Sequence, residues 1–230
     1  MSALGTRARS LAINRPGWDG ASEATDLPGN AAAALSALDA HGLGHATVVG
    51  HSLGAGVAAW LAVHHSERVQ ALVLAAPAAN AASLTRTDQI LAAPVVGSVA
   101  SVALLSGAGA GLGYAPLRRA LAQRMDLDER HLRGLGRRLS GPAAWRSFIV
   151  EQRALVRQLP LLDGKLELIS APTVVVAGEA DHVVPATAAR ALARQIPGGE
   201  LVLLPRAGHL LPQMQSGRLA EIIVQTVRQA

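Results

Sequence analysis

Short apolar runs recur along this chain, separated by stretches of helical composition. Ser10–Asn14, Ala46–Val49, Val69–Ala75, Thr173–Ala177 and Leu201–Leu204 are dominated by aliphatic residues and end in turn residues. Runs of this length and composition read as strands, and continuous apolar runs read as strands buried on both faces. Pro28-Gly29-Asn30 opens an Ala-rich helix that reaches about His41, with Asn30 placed to cap it and Gly42 and Gly44 to close it. Leu53–His64 has helical composition, as do Pro185–Gln195, closed by Pro197-Gly198-Gly199, and Gly217–Arg228. Strand and helix alternate, which predicts parallel βαβ units: an α/β fold with a mostly parallel sheet flanked by helices.

The alternation stops between about Ala82 and Lys165. Gln89 to Leu117 carries no charged residue. Its length would allow a membrane span, but Pro94, Pro116 and the glycines at 97, 107, 109, 111 and 113 interrupt it. A lid segment or a buried helix is the expectation, and no membrane span. Arg118 to Arg157 then reads as amphipathic helices holding ten of the 21 basic residues against four acids. The predicted plan is a core of residues 1–81 and 166–230 with an inserted helical cap at 82–165. The plainer meaning of the charge run is a solvated helical surface.

Composition narrows the function classes. A chain of 230 residues that is 50% hydrophobic can bury one sizeable core. With 16% charged residues, long disordered tracts are excluded. The absence of Cys excludes disulfides, thiol chemistry and Cys-ligated zinc. The net charge of +5 would suit a nucleic acid, but 2% aromatic residues offer few stacking platforms, so none is expected as a partner. His41, His45, His64 and His65 fall at helix ends, where a cation suits the dipole, and read as caps rather than metal ligands. No apolar region follows the first arginines, so no signal peptide is read and a cytoplasmic location is expected.

The candidate chemistry centres on Gly50-His51-Ser52-Leu53-Gly54, a G-x-S-x-G pattern between a predicted strand and a predicted helix. In that context the serine stands on a sharp turn with its Oγ pushed above the sheet, and the flanking glycines remove side chains that would collide. The helix that follows aims its positive end at the same point. A neutral serine needs a base and an orienting carboxylate. Asp181 and His209, each in a loop after a predicted strand, are the candidates. Taken alone, Asp181 also reads as a helix cap before Pro185, and His209 as an ordinary loop histidine. His51 reads either as pocket lining or as packing.

These segments together resemble the α/β-hydrolase family. Gly178-Glu179-Ala180-Asp181-His182-Val183-Val184-Pro185 is similar to that family's acid loop, and Ala207-Gly208-His209 to its catalytic-histidine loop. The order Ser52, Asp181, His209 is the order of that fold's triad. Pro16-Gly17-Trp18-Asp19-Gly20 resembles the loop after the family's fourth strand. The likeness covers about 10–80 and 165–230. It implies a serine hydrolase acting on an ester-like bond of a small molecule, with no metal or cofactor. It also implies that the Leu53 amide is one oxyanion donor. His51, Trp145, Arg146 and Leu210 are the candidate substrate contacts, and Arg146 would suit a substrate carboxylate. Two other readings stand beside it: a C–C bond hydrolase of the aromatic-degradation type, and an inactive binding or accessory protein. His51 and Leu210 depart from the residues usual around the nucleophile and histidine of the C–C hydrolases.

Part of the family pattern has no counterpart. The strands that precede Ser10–Asn14, and the loop supplying the second oxyanion amide, are missing. Ser2-Ala3-Leu4-Gly5 reads as the end of a helix instead. The expectation is an N-terminally shortened core whose strands at Ser10–Asn14 and Ala46–Val49 lack a central partner.

Overall fold

The protein is represented by a computed structural model that describes residues 4, 5, 7–125 and 127–229. It divides into two compact units: Met1–Ile13, Leu27–Thr85 and Leu155–Ala230 form the first, and Asn14–Asp26 with Arg86–Ala154 the second.

The first unit is built on four parallel strands, β1 (Ala46–His51), β2 (Val69–Ala75), β3 (Thr173–Gly178) and β4 (Glu200–Leu204), in that spatial order. Its helices are α1 (Leu27–Ala40), α2 (Leu53–His64), the last turns of α7 (Pro142–Asp163), α8 (Ala186–Gln195), the short α9 (Leu211–Met214) and α10 (Ser216–Gln229). Side chains alternate across the sheet. Leu72, Leu74 and Val175 enter one core with Leu61 of α2, Leu192 of α8 and Leu159 of α7. Val73, Ala75 and Val176 enter the other with Leu219, Ile222 and Ile223 of α10. Burial on both faces is why Ala71–Ala75 of β2 and 174–177 of β3 are apolar without a break. Gly56 of α2 lets that helix approach closely, since a Cβ there would stand 2.6 Å from the Ala78 carbonyl oxygen.

Three local expectations are corrected. Ser10–Asn14 forms no strand; Leu11 and Ile13 are 39% and 50% exposed. A strand exists only through a hydrogen-bonded neighbour, and five apolar-leaning residues do not supply one. β1 is accordingly an edge strand among the described residues, with Val49 44% exposed. Asn30 does not cap α1 but lies buried inside it. The helix starts at Leu27, whose N–H donates to Gln158 Oε1 at 2.9 Å, and Pro28 tolerates the first turn. Of Ser2-Ala3-Leu4-Gly5, the first two lie outside the described residues, and Leu4 and Gly5 lie in a turn.

The second unit holds α3 (Arg86–Ala92), α4 (Val96–Gly113), α5 (Ala115–Met125), α6 (Glu129–Leu139) and α7 up to Ala154. The cap read at 82–165 therefore gives up its ends. Leu155, Leu159 and Leu162 of α7 are buried in the core of the first unit. The turn at 14–26 joins the helical unit instead. Arg15 grips buried Glu151 with two hydrogen bonds of 2.7 and 3.1 Å, and Ser147 Oγ donates to the Gly17 carbonyl. The uncharged stretch does not become a buried helix: α4 buries only Gly97, Ser101, Leu105 and Gly109.

Candidate active site

Every member of the serine, histidine and aspartate set lies in the first unit, each at the carboxyl end of a strand. Ser52 sits between β1 and α2 with φ 55°, a left-handed conformation that is strained for a residue with a Cβ. The surrounding chain holds it there. Its N–H donates to the Ala75 carbonyl, and its carbonyl accepts from Ala55 and Ala78 N–H. Gly50 makes the turn possible, because a Cβ there would collide with the Gly54 carbonyl and stand 2.6 Å from the Ala55 Cα. Gly54 plays no such part. A Cβ on it would meet nothing within 4 Å, so the steric role expected of both motif glycines belongs to Gly50 alone.

Asp181 follows β3 and His209 follows β4. Gly178 brings their loops together, since a side chain there would drive into the Ala207 carbonyl. The Ala180 N–H donates to that carbonyl at 2.9 Å, and Glu179 N–H donates to the Leu204 carbonyl at 3.1 Å. The Asp181 side chain is fully buried. Its Oδ1 accepts from Val183 and Val184 N–H at 2.8 and 2.9 Å, and its Oδ2 faces His209 Nδ1 at 2.9 Å. One Asp181 oxygen thus accepts the two backbone amides and the other faces the histidine.

His209 Nε2 lies 3.1 Å from Ser52 Oγ. With Nδ1 donating to the carboxylate, Nε2 is left as the acceptor for the serine proton. The Leu53 N–H, at the first position of α2, has no carbonyl four residues earlier within the helix and stands beside Ser52. The dipole of α2 favours negative charge at that point.

The other candidates fall in both units. His51 Nε2 reaches the backbone carbonyl of His209 at 2.9 Å, and the two rings lie 5.1 Å apart. Leu210, 45% exposed, immediately follows His209 and precedes α9. Trp145 and Arg146 belong to the second unit. The Trp145 indole is committed to the Leu139 carbonyl at 3.0 Å, and Arg146 is exposed. Sequence reasoning missed Ala76, whose φ of 44° turns the chain that pins Ser52 from behind. Alanine carries no turn signal, so nothing in the sequence marks it. The described residues contain no cluster of metal-ligating side chains.

Comparison with known proteins agrees with this architecture. The 2-hydroxymuconate semialdehyde hydrolase of Pseudomonas putida is 27% identical over 203 residues, covering 83% of this chain and 65% of that protein. The chain thus spans about two thirds of that relative's length, slightly under. A hydrolase from Pseudomonas aeruginosa PA01 superposes with a TM-score of 0.73 at 28% identity, over 98% of this chain and 82% of that one. A meta-cleavage product hydrolase from Pseudomonas fluorescens IP01 shares the fold at 21% identity, with a TM-score of 0.72 over 99% of this chain and 82% of its own. The alpha/beta hydrolase fold family matches residues 1–212, and with its parallel sheet and the serine turn after β1, the chain belongs to that family.

Proposed function

We propose that the protein is a serine hydrolase that cleaves an ester-like bond of a small organic substrate through an acyl-enzyme. The observation that carries this reading is the continuous contact from Ser52 Oγ through His209 to buried Asp181. Ser52 Oγ adds to the substrate carbonyl while His209 Nε2 takes its proton. Asp181 stabilises the imidazolium, and the Leu53 amide donates to the developing oxyanion. The C–O bond then breaks, and His209 returns the proton to the departing alcohol. Water, deprotonated by His209, releases the acyl group and restores Ser52.

Cleavage of a C–C bond is the second reading, favoured by the likeness to the Pseudomonas putida protein. An inactive accessory role is the third. A fluorophosphonate probe on the full chain separates catalysis from binding: labelling at Ser52, abolished in Ser52→Ala, is the expected result. A folded protein that never labels would leave the accessory role standing. Esters of graded chain length, run beside 2-hydroxymuconate semialdehyde, then separate the two hydrolytic readings.

A further inference from the structure

The second unit carries an exposed apolar surface. Helix α4 packs through one narrow stripe, Gly97, Ser101, Leu105 and Gly109, at four-residue spacing. Gly109 and Gly136 of α6 mark the contact, where each lacks room for a Cβ. The rest of the helix is bare and apolar: Val96 and Val99 are 66% and 67% exposed, and Leu104 is 51% exposed. Ala103, Gly107 and Ala110 are exposed along the same side, and Tyr114 follows them. Soluble surfaces seldom leave so continuous an apolar strip uncovered.

The helices packed beside it are strongly basic. Residues 115–139 hold seven arginines against three acids. Arg118 is spent internally, donating to the Leu112 and Gly113 carbonyls at the end of α4 and lying 3.5 Å from Glu129. Arg130, Arg133 and Arg137 are exposed at helical spacing on one flank of the buried Leu132–Gly136 side of α6. Arg124 is exposed on α5. None of these four forms an ion pair with a described residue.

We propose that α4 and the flanking arginines of α5 and α6 form a membrane-docking surface for bilayers rich in anionic phospholipid, with α4 lying in the headgroup plane. Apolar side chains suit the acyl boundary, and adjacent arginines suit anionic headgroups. The charge pattern selects this occupant over a second copy of the chain, because a symmetric pairing through α4 would bring arginines toward arginines. It also favours lying on the bilayer over crossing it. Eighteen helical residues extend about 27 Å, long enough to cross only at the lower limit of an apolar span. Crossing would also strip away Arg118 and the hydrogen bonds of Arg153 to Pro94 and Ser98.

Vesicle flotation of the full chain tests this. Vesicles of equal parts phosphatidylcholine and phosphatidylglycerol should carry the protein at about 0.1 M salt, where the screening length is about 10 Å. Pure phosphatidylcholine should carry it at least roughly tenfold less, given the strength of attraction per arginine. Salt at about 0.5 M should release it. Arg133→Gln with Arg137→Gln should weaken partitioning by on the order of tenfold, and Val99→Asp with Leu104→Asp should abolish it, while Ser52 labelling persists in both. Equal flotation with neutral vesicles would overturn the proposal. So would binding that survives high salt, or a dimer in sedimentation that forms through α4 without any vesicle binding. If the aspartate variant does not fold, the arginine pair and the salt series still decide the matter.

Discussion

The Nε2 of His51 donates a hydrogen bond of 2.9 Å to the backbone carbonyl of His209. That carbonyl also accepts from the Leu211 N–H at 2.8 Å. A carbonyl only accepts, so the proton of His51 resides on Nε2. The residue before Ser52 therefore grips the main chain of His209.

His51 is thus expected to act as a positioning residue. His51→Ala should lower kcat by about tenfold, the worth of one such hydrogen bond, with KM nearly constant. His51→Gln, which keeps a donor of similar reach, should recover most of the loss. An effect on KM alone would instead mark His51 as a substrate contact.

Asp181→Asn keeps an acceptor for the Val183 and Val184 amides, so the loop should persist. Its amide cannot hold His209 with Nδ1 as donor. On the triad reading kcat falls by on the order of 10⁴, with thermal stability changed far less. Steady-state ester hydrolysis beside a melting curve checks both halves.

Gly50 and Gly54 should behave oppositely despite their symmetry about Ser52. Gly50→Ala forces a methyl into the backbone of α2 and should cost about 3 kcal/mol or more. Gly54→Ala meets open space inside a helix and should stabilise the protein by about 0.5–1 kcal/mol. Chemical denaturation of the two variants distinguishes them, and equal destabilisation would contradict the steric assignment.

Asp19 organises the exposed turn of the second unit. The Ser22 hydroxyl, and then the Ala21 and Ser22 amides, hold its carboxyl down from the ordinary 3.8 to about 2. Because the folded value is depressed, its contribution to the turn is complete above the ordinary aspartate range. It is lost as pH falls from about 4 through about 2. A carboxyl-carbon NMR titration should show that low midpoint, moving upward in Ser22→Ala.

Much of the core was legible because its signals are short-range. The strands at Val69–Ala75 and Thr173–Gly178 are apolar runs buried on both faces, and α2 follows its strand through a local turn motif. Ser10–Asn14 misled because an apolar run does not reveal whether a neighbour exists to pair with it. Asn30 misled because its capping chemistry lost to Gln158, a residue 131 positions from Leu27. The exposure of α4 was hidden for a similar reason: hydropathy reports what a helix is made of, not what covers it.

The sequence by itself determined the order of the four core strands and the candidates Ser52, Asp181 and His209, since periodicity and turn chemistry act over a few residues. Only the tertiary structure brought Ser52 Oγ to His209 Nε2 across 157 positions, gave Asp181 its two simultaneous partners and turned His51 toward the His209 carbonyl. Those distances depend on parallel strands of one sheet ending at the same edge, a relation that exists only once the chain has folded.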